Sequence, residues 1–257
     1  MIIVIILQPM ITVVAGPCGA GKTTWILQEL AQMQTPAVYV TPGVGPVPID
    51  ATRVTARFPQ VEIFHGQPET ELLPRLEAGV PVYFELGFQL EISVPLLEAW
   101  PHRRIALVAE ENRDAGWQLW ADEVIGGNLS TLDLQSAQLW RSPLTGQVFD
   151  PPSLDEIWIE LMGGAYGNVQ RVKGIFELPD GRAFHIDFAA GLPGIEYTEL
   201  PFPRWLRGRP DRFSGIEVVG QGLEQKAIAQ TVLAGCLSDG AIAQYQEQYK
   251  ANLCETN

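Results

Sequence analysis

The residues most able to do chemistry are Gly16-Pro17-Cys18-Gly19-Ala20-Gly21-Lys22-Thr23, which satisfy the GxxxxGK[ST] spacing of a phosphate-binding loop. Glycines let a backbone fold round an anion with its N–H groups turned inward, and the start of a helix adds a favourable dipole. Lys22 would reach the β- and γ-phosphates of a nucleoside triphosphate and Thr23 would ligate magnesium. Gly16, Cys18, Gly19, Ala20, Gly21 and Thr24 would complete the cradle. Cys18 reads either as a small packing residue or as a thiol whose pKa a helix N-terminus lowers.

Two carboxylates are candidates to work with this loop. Glu85 closes the apolar run 80–84, at the strand end where such a sheet places an acid that holds magnesium or orients water; a strand-terminal surface carboxylate is the plain alternative. Asp50 could make a switch-type magnesium contact, or cap a helix that starts at Ala51.

These residues need a framework, and the pattern from Met10 to about Phe149 supplies one. Short β-branched or apolar runs alternate with helix-compatible stretches, the rhythm of βαβ units round a parallel sheet. Strands are expected over 11–15, 37–41, 61–64, 80–85 and 104–109, with helices over 23–33 and 94–99. Asp150-Pro151-Pro152-Ser153 reads as a boundary, because consecutive prolines stiffen the chain and remove donors. We therefore expect a nucleotide-binding α/β domain at 1–150 and a small α+β domain at 151–257. In the latter, strands are expected at 169–176, 183–188 and 214–219 and helices near 153–162, 224–234 and 241–251. Asp180-Gly181 would turn a hairpin.

Composition narrows the partners. The 257 residues carry a formal net charge of −13, which repels nucleic-acid phosphates and anionic lipid, so neither is expected as a partner. Cys18, Cys236 and Cys254 are too few and too scattered for a disulfide framework, and a reducing cytoplasm is the default. The opening MIIVIIL fits neither a signal peptide nor a membrane span.

The histidines suggest little metal chemistry. His65 could join Glu69 in a weak site, though an ordinary loop histidine is the simpler reading, and His102 follows Pro101 at a turn. His185 and Asp187 alternate on one strand and share a face, which favours a hydrogen-bonded pair over a ligand pair. Trp205 and Arg207, in the Pro-rich run 203–210, read equally as a docking loop or as a loop packed on its own domain.

The succession of P-loop, VGPVPIDA (44–51), VEIFHGQPE (61–69), YFELGF (83–88), WADEVIGGN (120–128) and RFSGIEVVGQGLE (212–224) resembles the CobW family of P-loop GTPases. The resemblance implies GTP binding and magnesium-dependent hydrolysis, with a link to metal delivery or cofactor insertion and a client protein as partner. It sets Lys22 and Thr23 on the phosphate and magnesium positions, Asp50 on the acid of the first switch, and Glu85 on the Glu of the family's ETTG-like segment. It also marks departures. Where the family has a CxCC metal motif, this chain has Gln67-Pro68-Glu69-Thr70, so a zinc site of thiolates is not expected there. The guanine-reading NKxD is reduced to Asn128-Leu129-Ser130-Thr131, leaving GTP or ATP open unless Asp133 substitutes. A nucleotide sensor without turnover is the alternative, and a small-molecule kinase a third reading.

Overall fold

The computed structural model describes residues 10–41, 47–66, 69–87, 95–129 and 136–255. The chain forms two compact units. One comprises Met1–Gly45 with Phe58–Ser130, the other Pro46–Arg57 with Thr131–Asn257.

In chain order the elements up to residue 126 are β1 (Ile11–Ala15), α1 (Lys22–Gln32), β2 (Val38–Thr41), α2 (Ile49–Arg57), β3 (Glu62–His65), α3 (Glu69–Glu77), β4 (Val82–Glu85), α4 (Pro95–Ala99), β5 (His102–Val108), α5 (Ala115–Trp120) and β6 (Glu123–Gly126). All but α2 belong to the first unit. Its strands pair in parallel in the order β3-β2-β4-β1-β5-β6. The central runs ITVVA and VYFE are almost wholly buried, as strands of a sheet covered on both faces must be. Ile11, Val13, Ala15, Val38, Val40, Val82 and Phe84 form a core with Leu72 and Leu76 of α3. In α1, Ile26, Leu27 and Leu30 recur at helical spacing and are buried. Because β1 has β4 on one side and β5 on the other, the chain leaves its carboxyl end at a topological switch point, where ligands bind in such sheets.

The rest of the second unit is β7 (Gln138–Pro143), α6 (Pro151–Met162), β8 (Asn168–Glu177), β9 (Ala183–Ala189), β10 (Glu196–Glu199), β11 (Gly215–Gln221), α7 (Gln225–Ala234) and α8 (Asp239–Glu255). Its sheet is antiparallel, in the order β10-β9-β8-β11-β7. Asp180-Gly181 turns the β8–β9 hairpin as expected, Gly181 taking φ 82°. Leu154, Ile157, Trp158 and Leu161 of α6 and Ile228 and Val232 of α7 meet Val172, Ile186, Ile216 and Val218 of the sheet in one core. A second cluster joins Val47, Ile49 and Ala56 of the α2 region to Ile175, Ala183 and Leu200.

The expected fold class holds: a P-loop-type α/β sheet flanked by helices, followed by an α+β unit. The position of the break differs from the expectation at 150/151. Asp150 is the N-cap of α6, its carboxylate accepting from the Ser153 N–H and hydroxyl, with Pro151 and Pro152 in the first turn. These residues start a helix inside the second unit. That unit also takes β7, which pairs with β11, and the helix α2.

Candidate functional site

The P-loop runs from the end of β1 into the first turn of α1. Gly16 sits at φ 154°, where a Cβ would be driven into the carbonyl oxygen of Leu107 on the neighbouring β5. Gly21 caps α1 in the left-handed conformation at φ 95°. The Lys22 ammonium curls over the loop, donating to the carbonyls of Gly16 (2.9 Å) and Pro17 (3.0 Å). Cys18 is a half-buried free thiol on the same loop.

Glu85 ends β4 and is buried. Its Oε1 accepts from the Thr23 hydroxyl at 2.8 Å and its Oε2 from the Tyr39 hydroxyl at 2.6 Å. The carboxylate therefore lies between the first turn of α1 and the neighbouring strand β2. Tyr39 is a residue that the sequence reading missed. The available signal was a tyrosine within the apolar strand VYVT, since a buried phenol requires a partner.

Asn128 follows β6 and ties that edge of the sheet to the loop. Its backbone N–H donates to the Ala20 carbonyl and its side-chain Nδ2 to the Gly19 carbonyl, each at 3.2 Å. Gly127 makes this approach possible, because a Cβ there would meet the Ala20 oxygen and the Val108 nitrogen at 2.9 Å. Asp133, weighed as a substitute base reader, lies outside the described residues.

Lys22, Thr23, Glu85 and Asn128 are thus brought together in the first unit. The donor set suits magnesium with a triphosphate: a hydroxyl and a carboxylate are hard oxygen ligands, and one ammonium stands beside them. Among the described residues no group of three or more His, Cys, Asp or Glu side chains is arranged to hold a metal by itself. No helix among them is long and apolar enough to cross a membrane.

Asp50 falls elsewhere. It lies in the first turn of α2, in the second unit, and forms a largely but not fully buried ion pair with Lys173 of β8. Lys173 also meets Glu217 Oε1 at 3.3 Å, and Glu217 Oε2 accepts from Arg141 Nε at 2.6 Å. Strand register explains the row: Arg141, Glu217, Lys173 and Asp187 stand opposite one another on β7, β11, β8 and β9, with alternating sign. Burial pushes the Asp50 carboxyl up, but Lys173 outweighs it by charge and hydrogen bond and holds it far below the usual range. Burial works against the Lys173 ammonium too, and Asp50 and Glu217 raise it well above an ordinary lysine. Glu217 is likewise kept low by Lys173 and Arg141 against its burial.

The expected His185–Asp187 hydrogen bond is not formed. Asp187 Oδ2 accepts from Arg171 at 2.9 Å, while both ring nitrogens of His185 are buried without a hydrogen-bond partner. Burial therefore pushes His185 down to about 4. His65 shares a hydrogen bond with Thr41 at 3.1 Å, and His102 Nδ1 lies 3.0 Å from the Trp100 carbonyl. The 203–210 loop is fastened within its own unit. The Trp205 N–H donates to the Gly181 carbonyl at 2.9 Å, and Arg209 reaches Asp239 and the Gly146 and Leu237 carbonyls, leaving Arg207 exposed.

Comparison with known proteins agrees with the resemblance drawn from the sequence. Residues 145–237 match the model of the cobalamin synthesis protein CobW C-terminal domain. Among solved structures, a zinc-bound YjiA GTPase from E. coli is similar at 12% identity and a TM-score of 0.33, covering 89% of this chain and 99% of that one. A zinc-bound triple mutant of YjiA gives 13% identity with the same coverage and TM-score. Superpositions this loose add nothing to the family match. No curated protein matches the chain. The family match lies within the second unit, and a P-loop sheet precedes it.

Proposed function

We propose that this CobW-like chain binds a nucleoside triphosphate with magnesium on its first unit, GTP before ATP, and hydrolyses it in the cytoplasm in the service of a client protein. The observation that carries the reading is the hydrogen bond from Thr23, the last residue of the P-loop motif, to Glu85 at the carboxyl end of β4. A strand-end carboxylate held against the magnesium-position hydroxyl is the arrangement that triphosphate chemistry needs.

In this reading Lys22 exchanges the Gly16 and Pro17 carbonyls for phosphate oxygens and stabilises the charge that builds there. The Thr23 hydroxyl donates its hydrogen bond to Glu85 Oε1, which leaves an oxygen lone pair for the metal. Glu85 orients that hydroxyl and offers its carboxylate to metal or water. Magnesium, when bound, supplies charge neutralisation across the phosphates. Asn128 holds the loop through Gly19 and Ala20 rather than adding charge. Asp50, engaged by Lys173, is assigned to the second unit's own stability rather than to the metal.

Calorimetric titration of GTP, GDP and ATP, with and without magnesium, tests this against Lys22→Ala. Magnesium-dependent binding that favours GTP by more than about tenfold, or roughly 1.4 kcal/mol, and vanishes in the variant supports the reading. No binding to the unaltered chain overturns it.

A second reading, nucleotide sensing without turnover, has one observation in its favour. The NKxD position keeps only Asn128, and its amide N–H is spent on the Gly19 carbonyl. Single-turnover phosphate release separates the two: release lost in Lys22→Ala supports the hydrolase, tight binding without release the sensor.

A further inference from the structure

We propose that Tyr39 is a positioning residue for the magnesium-triphosphate site, holding Glu85 so that its other oxygen stays against Thr23. The inference deepens the function proposed above and rests on it.

The register of the sheet sets up the contact. Tyr39 on β2 stands opposite Tyr83 on β4, and Glu85, two residues further on, points to the same face as Tyr83. A diagonal neighbour of this kind lies within reach of an aromatic side chain. The Tyr39 hydroxyl donates to Glu85 Oε2 at 2.6 Å from a side chain with 0% exposure. From the other side Thr23 donates to Oε1 at 2.8 Å.

The terminal torsion of a glutamate is broad and nearly two-fold, so each added donor narrows the orientations open to the carboxylate. Two donors from separate elements, one on each oxygen, fix its plane. Tyr39 belongs to the sheet and Thr23 to the helix that follows the loop. The phenol therefore ties the carboxylate to a rigid strand and leaves the Thr23 contact as the part that responds to bound phosphate and metal. A phenylalanine at this position would fill the same space and lose that tether.

The test compares Tyr39→Phe, Glu85→Gln and the double variant with the unaltered full-length chain. Readouts are GDP affinity without magnesium, the magnesium concentration for half-maximal triphosphate binding, and kcat and KM at saturating magnesium. In Tyr39→Phe the magnesium requirement should rise and kcat should fall, each about tenfold, the worth of one hydrogen bond to a charged group. Magnesium-free GDP affinity and KM should stay within about twofold. In the Glu85→Gln background the same change should add nothing. Glu85→Asp, one methylene short of the phenol, should reproduce the effect with Tyr39 in place, which covers the case where Tyr39→Phe fails to fold.

An unchanged magnesium requirement and kcat in Tyr39→Phe, in a chain that binds and hydrolyses triphosphate, overturns the positioning role alone. An equal loss in both backgrounds also overturns it, by showing a packing effect independent of Glu85. A chain that binds no triphosphate at all overturns this inference together with the function beneath it.

Discussion

Replacing Lys173 by methionine removes the positive centre of the charged row on the second unit's sheet. Methionine keeps the stem, so packing is largely preserved and the loss is electrostatic. Lys173 and Asp50 keep 14% and 17% of their side chains exposed, and Glu217 only 7%. Glu217 would still accept from Arg141 at 2.6 Å, whereas Asp50 would lose its ion-pair partner. Breaking one side of a buried pair costs about 3–5 kcal/mol, most of it the penalty of the stranded charge. A loss near the lower end, about 3 kcal/mol, is expected, because Arg171 still bears on Asp50. The depressed Asp50 group contributes stability fully above about pH 4, lost as pH falls through its folded value, and the raised Lys173 group contributes below about pH 10, lost as pH rises through its own. The effect should therefore be full at pH 7. Amide hydrogen exchange followed on peptides of α6 and β8 reads the second unit without interference from the first. Exchange there should accelerate at least about a hundredfold. Asp50→Asn combined with Lys173→Met should recover more than half of the loss, since no stranded carboxylate remains on α2. A single variant within about 0.5 kcal/mol of the parent, or a double variant worse than the single, would refute the argument.

Three further outcomes are expected. His185 titrates at about 4 when folded and about 6.5 when unfolded, so its contribution is present above pH 6.5 and is lost as pH falls towards 4, by about 3 kcal/mol; urea unfolding at pH 7 and 4.5 should show a smaller pH difference in His185→Phe. Gly16→Ala drives a methyl group into the Leu107 carbonyl, and should weaken nucleotide binding more than tenfold and cost about 1–3 kcal/mol, as thermal unfolding and calorimetry would measure. Arg212 holds the buried Glu177 carboxylate through Nε at 2.5 Å and Nη2 at 2.6 Å, so Arg212→Lys should lower the melting temperature by several degrees, corresponding to about 2–3 kcal/mol, despite keeping its charge.

Legibility in the sequence tracked how local each feature is. The P-loop is one continuous segment whose spacing encodes its conformation, and Glu85 stands at the end of a short apolar run. Asp50 and Lys173 are 123 residues apart, and no pattern in the chain pairs them. The periodicity of α2 sets Ile49 and Ala56 on one face, but not which sheet covers it. The Asp-Pro-Pro-Ser run misled because residues that break one element also begin another: proline suits the first helical turn as well as a linker. For His185, alternation gave the right face but not the partner, because Arg171 on the adjacent strand takes Asp187 first.

The origin of α2 governs what can be done with the halves of this molecule. The chain passes from one unit to the other at residues 45–46, returns at 57–58 and passes again at 130–131. A gene cut at a single codon cannot separate such halves. A fragment stopping near residue 150 would keep α2 with Val47, Ile49 and Ala56 stripped of Ile175, Ala183 and Leu200, and would leave β7 without β11. A fragment starting there would have a sheet face without its helix. Swapping the second unit between relatives would require two grafts, the α2 segment and the region after residue 130, and inheritance of one without the other should yield insoluble protein.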